Sequence, residues 1–340
     1  MRARVTFANR SSRIGSAAGA LVLVALVAAP LWGGRDDLEL LSQIYAYVAL
    51  ASLWNLLAGY AGLVSVGQQA YVGLGAYLLF AFAILAGLSP LVAIPLAGLI
   101  AGVVALPVAG LVFRLRGHYF AIGTWIIAEV FRLVASQVAV LGGGSGTSLP
   151  AALVIAMAPT RRLRDFSEYW VSLALVVAIL ALIVVLLRSR YGLALKAIRD
   201  SELAATCNGV DVLRTKIFVY IVTASATAMV GAFIFLQRLR ISPDAAFSVN
   251  DWTAFVIFIT VIGGIGRIEG PIVGTIVFFA LRQTLADRGT LYLMILGAVA
   301  IGVMLAARKG IWGLFVDKLG FEIFPLERRV EVKSEAEAGK

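Results

Sequence analysis

The chain has 340 residues, of which 61% are hydrophobic and only 14% are charged, and its mean hydropathy is +0.95. A soluble protein of this length could not bury so much apolar surface, so the composition indicates a membrane protein. The net charge of +10 is typical of basic cytoplasmic loops, and no basic run interleaved with aromatic residues points to nucleic acid.

Ten apolar segments follow one another, and most approach the roughly twenty residues that a bilayer requires. They cover residues 14–33, 40–58, 62–87, 91–113, 118–141, 168–187, 217–237, 252–266, 270–286 and 290–307. The first follows a basic start, residues 1–13, and could be the core of a signal peptide, although its length favours a retained span. We expect an all-α membrane protein of about ten transmembrane helices, some short or broken, over residues 14–307. The tail 308–340 is mixed in charge and is expected to be cytoplasmic and disordered.

The positions of lysine and arginine favour a cytoplasmic N-terminus. With that orientation 20 of the 29 basic residues lie in inside segments and 8 lie outside, and Arg132 lies within a span. Both termini and the polar stretch 188–216, between spans six and seven, would then be cytoplasmic.

The stretch 188–216 is the longest polar interruption with a helical pattern. Ser201 can cap a short helix that begins at Glu202, Gly209 can end it with a positive φ, and Asp211 can cap the long apolar helix that follows. We therefore predict two short helices at a membrane surface. A loop whose basic residues only set the topology is the alternative.

Two glycine-rich stretches, residues 58–77 and 261–279, lie in different halves of the chain. Such a pair is typical of an internal repeat with broken helices around a translocation path. Close helix packing through small residues, as expected at Gly98 and Gly102, is the alternative.

Several kinds of chemistry are missing from the sequence. None of the six lysines lies in a phosphate-binding P-loop, and no cluster of residues has metal-ligand spacing, so we predict no ATP site, no metal and no cofactor. The lone His118 is better explained as an interface residue than as a ligand, and the single Cys207 excludes an internal disulfide. Within the spans Glu129 and Arg132 stand three residues apart, and we expect an ion pair inside the protein, or two residues that face a polar cavity.

Four blocks of sequence resemble the membrane permease subunits of branched-chain amino-acid ABC transporters. The blocks are NLLAGYAGLVSVGQQAYVGLGAY (55–77), GHYFAIGTWIIAEVFRLV (117–134), RYGLALKAIRDSELAATCNGV (190–210) and VIGGIGRIEGPIVGTIV (261–277). They keep the family's order over most of the chain. The resemblance implies the fold of the vitamin-B12-type importer permeases.

The resemblance also implies the partners of an ATP-driven importer in a cytoplasmic (inner) membrane. These are a second homologous permease, two ABC ATPase subunits, an extracytoplasmic substrate-binding protein and membrane lipid. The substrate would be a branched-chain or related amino acid. Urea or a short amide is an alternative substrate, and a self-sufficient channel or secondary carrier is a different alternative. A membrane-embedded enzyme has no supporting cluster of acids, histidines or nucleophiles.

Two sets of residues are assigned roles on this basis. The third block resembles the coupling motif that ATPases contact in ABC importers, which implies coupling residues Arg199, Asp200, Glu202, Ala204, Ala205 and Gly209. A translocation path for a small zwitterion should be weakly polar, which favours Asn55, Ser65, Gln68 and Gln69 as lining residues. Amides that only hydrogen-bond across helices would be the alternative for Gln68 and Gln69.

Overall fold

The computed structural model describes residues 3–6, 10–158, 160–285, 290–306, 310–319 and 329–332. Its helices are α1 (Arg10–Trp32), α2 (Arg35–Asn55), α3 (Gln68–Leu85), α4 (Pro90–Val112), α5 (His118–Ser136), α6 (Ala151–Met157), α7 (Arg161–Arg188), α8 (Arg190–Asp200), α9 (Glu202–Cys207), α10 (Val212–Arg238), α11 (Pro243–Ala246), α12 (Phe255–Gly263), α13 (Glu269–Leu285), α14 (Thr290–Ala306) and α15 (Gly310–Leu319). A π-helical turn at Leu56–Tyr60 extends α2, and a second at Asn250–Ala254 leads into α12. Short 3₁₀ turns lie at Ala139–Leu141 and Gly143–Ser145.

Each of the ten predicted apolar segments contains helical residues, which confirms an all-α membrane protein. Among the described residues, eight helical stretches are long and apolar enough to cross a bilayer. The other two predicted spans correspond to shorter apolar helices: the apolar part of α1 is Leu21–Trp32, and α13 has 17 residues. The segment at 62–87 becomes helical only from Gln68, because a glycine-containing loop precedes it.

Helix α10 lies at the centre of the bundle and packs against α3 and α4. Gly75 faces the backbone of Ala228, and Gly231 faces the backbone of Val72, so closely that a Cβ atom at either glycine would collide. Glycine is required at these positions because the two helix backbones are in direct contact. On the α4 side Ser225 Oγ donates a hydrogen bond to the carbonyl of Gly98 at 2.8 Å.

Two small antiparallel strand pairs join distant parts of the chain. Strand β2 (Thr147–Ser148) pairs with β3 (Arg240–Ile241), and β1 (Ala3–Thr6) pairs with β4 (Arg329–Val332). The predicted disorder of the tail is wrong where α15 and β4 form. Residues 320–328 and 333–340 of that tail lie outside the described residues.

Candidate coupling element and translocation face

Three polar side chains divide the stretch 188–216 into helices. Ser189 Oγ accepts from Tyr191 N at the start of α8, Ser201 Oγ accepts from Ala204 N at the start of α9, and Asp211 Oδ1 accepts from Arg214 N at the start of α10. Gly209 has a φ of 79° and follows the end of α9. The caps and the glycine turn predicted for this stretch are therefore confirmed.

The α8–α9 element has one face against the bundle and one face exposed. Leu195, Ile198 and Ala205 are buried, so the side chain of Ala205 does not reach the outer surface. Ala204 is exposed, and Leu203 beside it is 77% exposed. Leu203 and Ala204 therefore form a small apolar spot on an otherwise polar surface.

The element is tied to α10 by charge. Lys216 Nζ, on the first turns of α10, forms an ion pair with Glu202 Oε1 at the start of α9. This ion pair joins the start of α9 to the start of α10, the central helix of the bundle.

A hydrogen bond joins α8 to the end of α2. Arg199 Nη1 donates to the carbonyl of Gly59 at 3.1 Å. Gly59 belongs to the π-helical turn, and a Cβ atom there would collide with the backbone of Gly266. Arg199, one of the predicted coupling residues, thus contacts the first glycine-rich stretch where it meets the second.

Asn55 completes this contact. Its Nδ2 donates to the carbonyl of Arg267 at 2.8 Å, and its Oδ1 accepts from Gly266 N at 2.8 Å. Asn55 is buried, and both ends of its amide bind the break between α12 and α13. We refer to Asn55, Gly59, Arg199, Gly266 and Arg267 as the coupling node.

Ser65 and Gln68 lie together beside a small cavity. Its volume is about 20 Å³, and Tyr220, Thr223 and Thr227 line its other side. Gln68 Nε2 donates to the carbonyl of Leu50 at 2.9 Å, whereas Gln68 Oε1 is buried and accepts no hydrogen bond within the described part of the chain. The space holds about one water molecule and not an amino acid.

Gln69 points elsewhere. Its Oε1 accepts a hydrogen bond from Thr253 Oγ1, in the turn that leads into α12. Ser65 Oγ accepts from Gly67 N at 3.2 Å. Of the four residues predicted to line a path, Ser65 and Gln68 share a cavity, while Asn55 and Gln69 bind other parts of the chain.

Helix α5 carries a charged group on an otherwise apolar outer face. Arg132 Nε donates to Glu129 Oε1, and Arg132 Nη1 donates to Asp244 Oδ1 of α11, both at 2.8 Å. The side chains of Glu129, Arg132 and Asp244 are 45%, 30% and 83% exposed. The pair is therefore not enclosed by this chain, contrary to the expectation of an ion pair inside the protein. Asp244 was not expected, because it lies 112 residues away in sequence.

The described ranges contain no group of three His, Cys, Asp or Glu residues that could hold a metal ion. Two features of the coupling element were not assigned from sequence. The contact between Arg199 and Gly59 joins residues 140 positions apart and has no local signal. Leu203 does have a local signal in the sequence, because it is an apolar residue within a polar stretch.

Comparison with protein families matches residues 38–307 to the branched-chain amino acid transport system permease component. A curated relative from Salmonella typhimurium, the high-affinity branched-chain amino acid transport system permease protein LivM, is 28% identical over 315 residues. The alignment covers 85% of this chain and 73% of the relative, and LivM of Escherichia coli gives the same values.

A third relative is the probable branched-chain amino acid transport permease protein LivM of Methanocaldococcus jannaschii. It is 24% identical over 196 residues, which cover 57% of this chain and 56% of that protein. No solved structure matches the chain. The expected likeness to the vitamin-B12-type permeases therefore stays a prediction.

Proposed function

The chain belongs to the branched-chain amino acid transport system permease family, and we propose that it is the membrane subunit of an ATP-driven importer of branched-chain amino acids. It would work with a second permease, two ATPase subunits and an external binding protein, in the cytoplasmic membrane with both termini inside. The named relatives are high-affinity branched-chain amino acid permeases, which supports this choice of substrate over urea.

The observation that carries the proposal is the hydrogen bond from Arg199 to Gly59. An importer that receives its energy from separate ATPases needs a stiff connection between their docking surface and the spans. The coupling node supplies one, because α8 binds the end of α2 and Asn55 joins that end to the break before α13. A displacement of α8 would therefore move both broken helices together.

The exposed face of α9 is the proposed docking surface. Leu203 and Ala204 supply an apolar centre, and the exposed carboxylates of Asp200 and Glu202 lie at its edge. An apolar centre with a polar rim is the usual anatomy of a protein–protein interface.

The outer face of α5 is the proposed boundary with the second permease. Charged side chains within membrane spans usually pair with one another and face protein or a polar cavity rather than lipid. The exposed Glu129, Arg132 and Asp244 are better accommodated against a polar path or another subunit than against lipid.

The test uses Cys207, the single cysteine, which is exposed on α9. Membranes containing the chain are treated with a water-soluble maleimide, with and without the associated ATPase subunits. We expect the ATPase to slow labelling of Cys207 at least about tenfold, because a docked surface excludes the reagent.

The matched control is Ser148→Cys in a Cys207→Ser background, which places an exposed cysteine at the opposite end of the bundle. Its labelling rate should not change with the ATPase. Equal labelling of Cys207 in both states would contradict the docking surface. Leucine uptake by vesicles that contain this chain but no ATPase would instead establish a secondary carrier.

A further inference from the structure

A cavity of about 410 Å³ opens at the end of the bundle opposite α8 and α9. It lies among the beginnings of α2 and α7 and the ends of α10 and α13, and it shares no lining residue with the coupling node or the α5 face. Its charged lining residues are Arg35, Glu39, Arg161, Arg164, Asp165, Glu168, Arg238 and Arg282. The volume is in the range of small-ligand sites.

Arg238 offers a positive group to this cavity. Its guanidinium lies over the ring of Trp252 at 5.0 Å from the centroid and near the ring of Phe235 at 5.3 Å. Within the described part of the chain, no carboxylate lies within 4 Å of Arg238. A guanidinium stacked on aromatic rings keeps its N–H edges available to a carboxylate or phosphate.

Glu168 places a buried carboxyl group in the same cavity. Its side chain is 13% exposed, and its Oε1 lies 3.5 Å from Arg164 Nε, on the same helix. That oxygen is buried and accepts no hydrogen bond from the described residues. A buried carboxylate oxygen is costly without a donor, and an ammonium group in the cavity would supply one.

The floor of the cavity is apolar. The outermost and innermost lining residues of α2, Arg35 and Tyr47, are about 18 Å apart along the helix axis. Ala46 and Ile234 line the inner part with Tyr47, next to the ring of Trp252 on which Arg238 stacks. A molecule with charged groups at one end and an aliphatic group at the other would match this gradient.

We infer that the cavity binds a small zwitterion, with its anionic group at Arg238 and its ammonium group at Glu168. A free aliphatic α-amino acid and the ethanolamine phosphate headgroup of a lipid share this chemistry, and the apolar floor favours the amino acid. The inference goes beyond the proposed function, because it concerns a site within one subunit that requires no ATPase.

The test is equilibrium binding of radiolabelled leucine to the full chain in nanodiscs of phosphatidylcholine and phosphatidylglycerol. We expect saturable binding of leucine. The analogue 4-methylpentanoate, which lacks the ammonium group, should compete at least about tenfold more weakly than unlabelled leucine. The same is expected of 3-methylbutylamine, which lacks the carboxylate. These analogues each lose one charge-assisted hydrogen bond.

Glu168→Gln and Arg238→Gln should each weaken leucine binding about tenfold to a hundredfold. Arg162→Gln and Arg240→Gln are matched controls, because both arginines lie near the same helix ends without lining the cavity. Ala46→Leu fills the floor and leaves every charge in place. It should weaken leucine binding more than glycine binding.

A second arm adds phosphatidylethanolamine to the nanodiscs. The lipid headgroup is the occupant if two results are obtained together. Leucine does not bind, and the native chain retains this lipid through purification whereas the Glu168 and Arg238 variants lose it. The inference is overturned if neither ligand binds, or if both variants bind as the native chain does. It is also overturned if 4-methylpentanoate competes as well as leucine, because the site would then be specific for anions alone. Failure of ATP-driven uptake would count against the proposed function and leave this binding result unaffected.

Discussion

The two ends of the bundle are held together in different ways. At the α8–α9 end two side chains bind backbone groups, in addition to the ion pair between Lys216 and Glu202: Asn55 binds the main chain of Gly266 and Arg267, and Arg199 binds the carbonyl of Gly59. At the opposite end side-chain ion pairs join the helices, such as Arg35 with Asp165 at 3.0 Å, and the β2–β3 strand pair joins the loops. Bonds from a side chain to backbone fix the position of a helix, whereas pairs of long side chains can exchange partners. Under the proposed function the first end would transmit motion, and the second would meet ligands or partners.

The largest effect should come from Asn55→Ala at the first end. The substitution leaves Gly266 N and the carbonyl of Arg267, which are both part-buried, without their partner. We expect the free energy of unfolding to fall by about 1–3 kcal/mol and ATP-driven uptake to be lost. Thermal unfolding in detergent measures the first effect, and Asn208→Ala, which removes an exposed amide just after α9, is the control. A near-native Asn55→Ala protein would show that the node is dispensable.

Gly209→Val should have the next largest effect. The site has open space around it, so the substitution is strained only because φ is positive, at about 1–2 kcal/mol. We expect α9 to shift and ATP hydrolysis to continue without uptake in vesicles. The matched control is Gly110→Val, since Gly110 also has open space but does not have a positive φ. Normal ATP-driven uptake by Gly209→Val, at normal expression, would refute the coupling role of this turn.

At the other end, Glu129→Gln should change stability by less than about 1 kcal/mol, because the ion pair is partly exposed and screened. Assembly with the second permease should nevertheless fall, since Arg132 keeps only Asp244 as a partner on the α5 face. Recovery of the second permease in a pull-down measures this, with the exposed Asp36→Asn as control. Normal assembly with an altered choice of substrate would show that the pair contacts substrate instead.

The smallest effect on the structure is expected from single cysteines at positions 65, 68 and 69, introduced one at a time in a Cys207→Ser background. Ser65 and Gln68 border the small cavity, whereas Gln69 is bound to Thr253. We expect a small thiol reagent to label positions 65 and 68 faster when ATP is added to the assembled transporter, and to leave position 69 unlabelled throughout. If all three stay unreactive in every nucleotide state, the path runs elsewhere.

Local signals predicted the coupling element well. Ser201, Gly209 and Asp211 act within a few residues of their own positions, so the sequence alone identifies their turns. Helix α15 was missed because it follows the last apolar segment in a mixed-charge tail. The bonds of Asn55, whose partners lie 211 and 212 residues away, depend on how distant helices meet, and no local pattern encodes that. The exposure of Glu129 and Arg132 on this chain was not predicted for the same reason.

The π-helical turn at Leu56–Tyr60 has a consequence for the length of this segment. A π turn holds about one residue more than an α-helical turn. Deleting Ala58 would restore an ordinary helix and rotate the following residues by about 100° around the axis. Gly59 would then present its carbonyl away from Arg199, although every side chain of the coupling node would still be present. Between Asn55 and Gln68, a single deletion should therefore be less tolerated than most substitutions, and the number of residues is under stronger constraint than their identity.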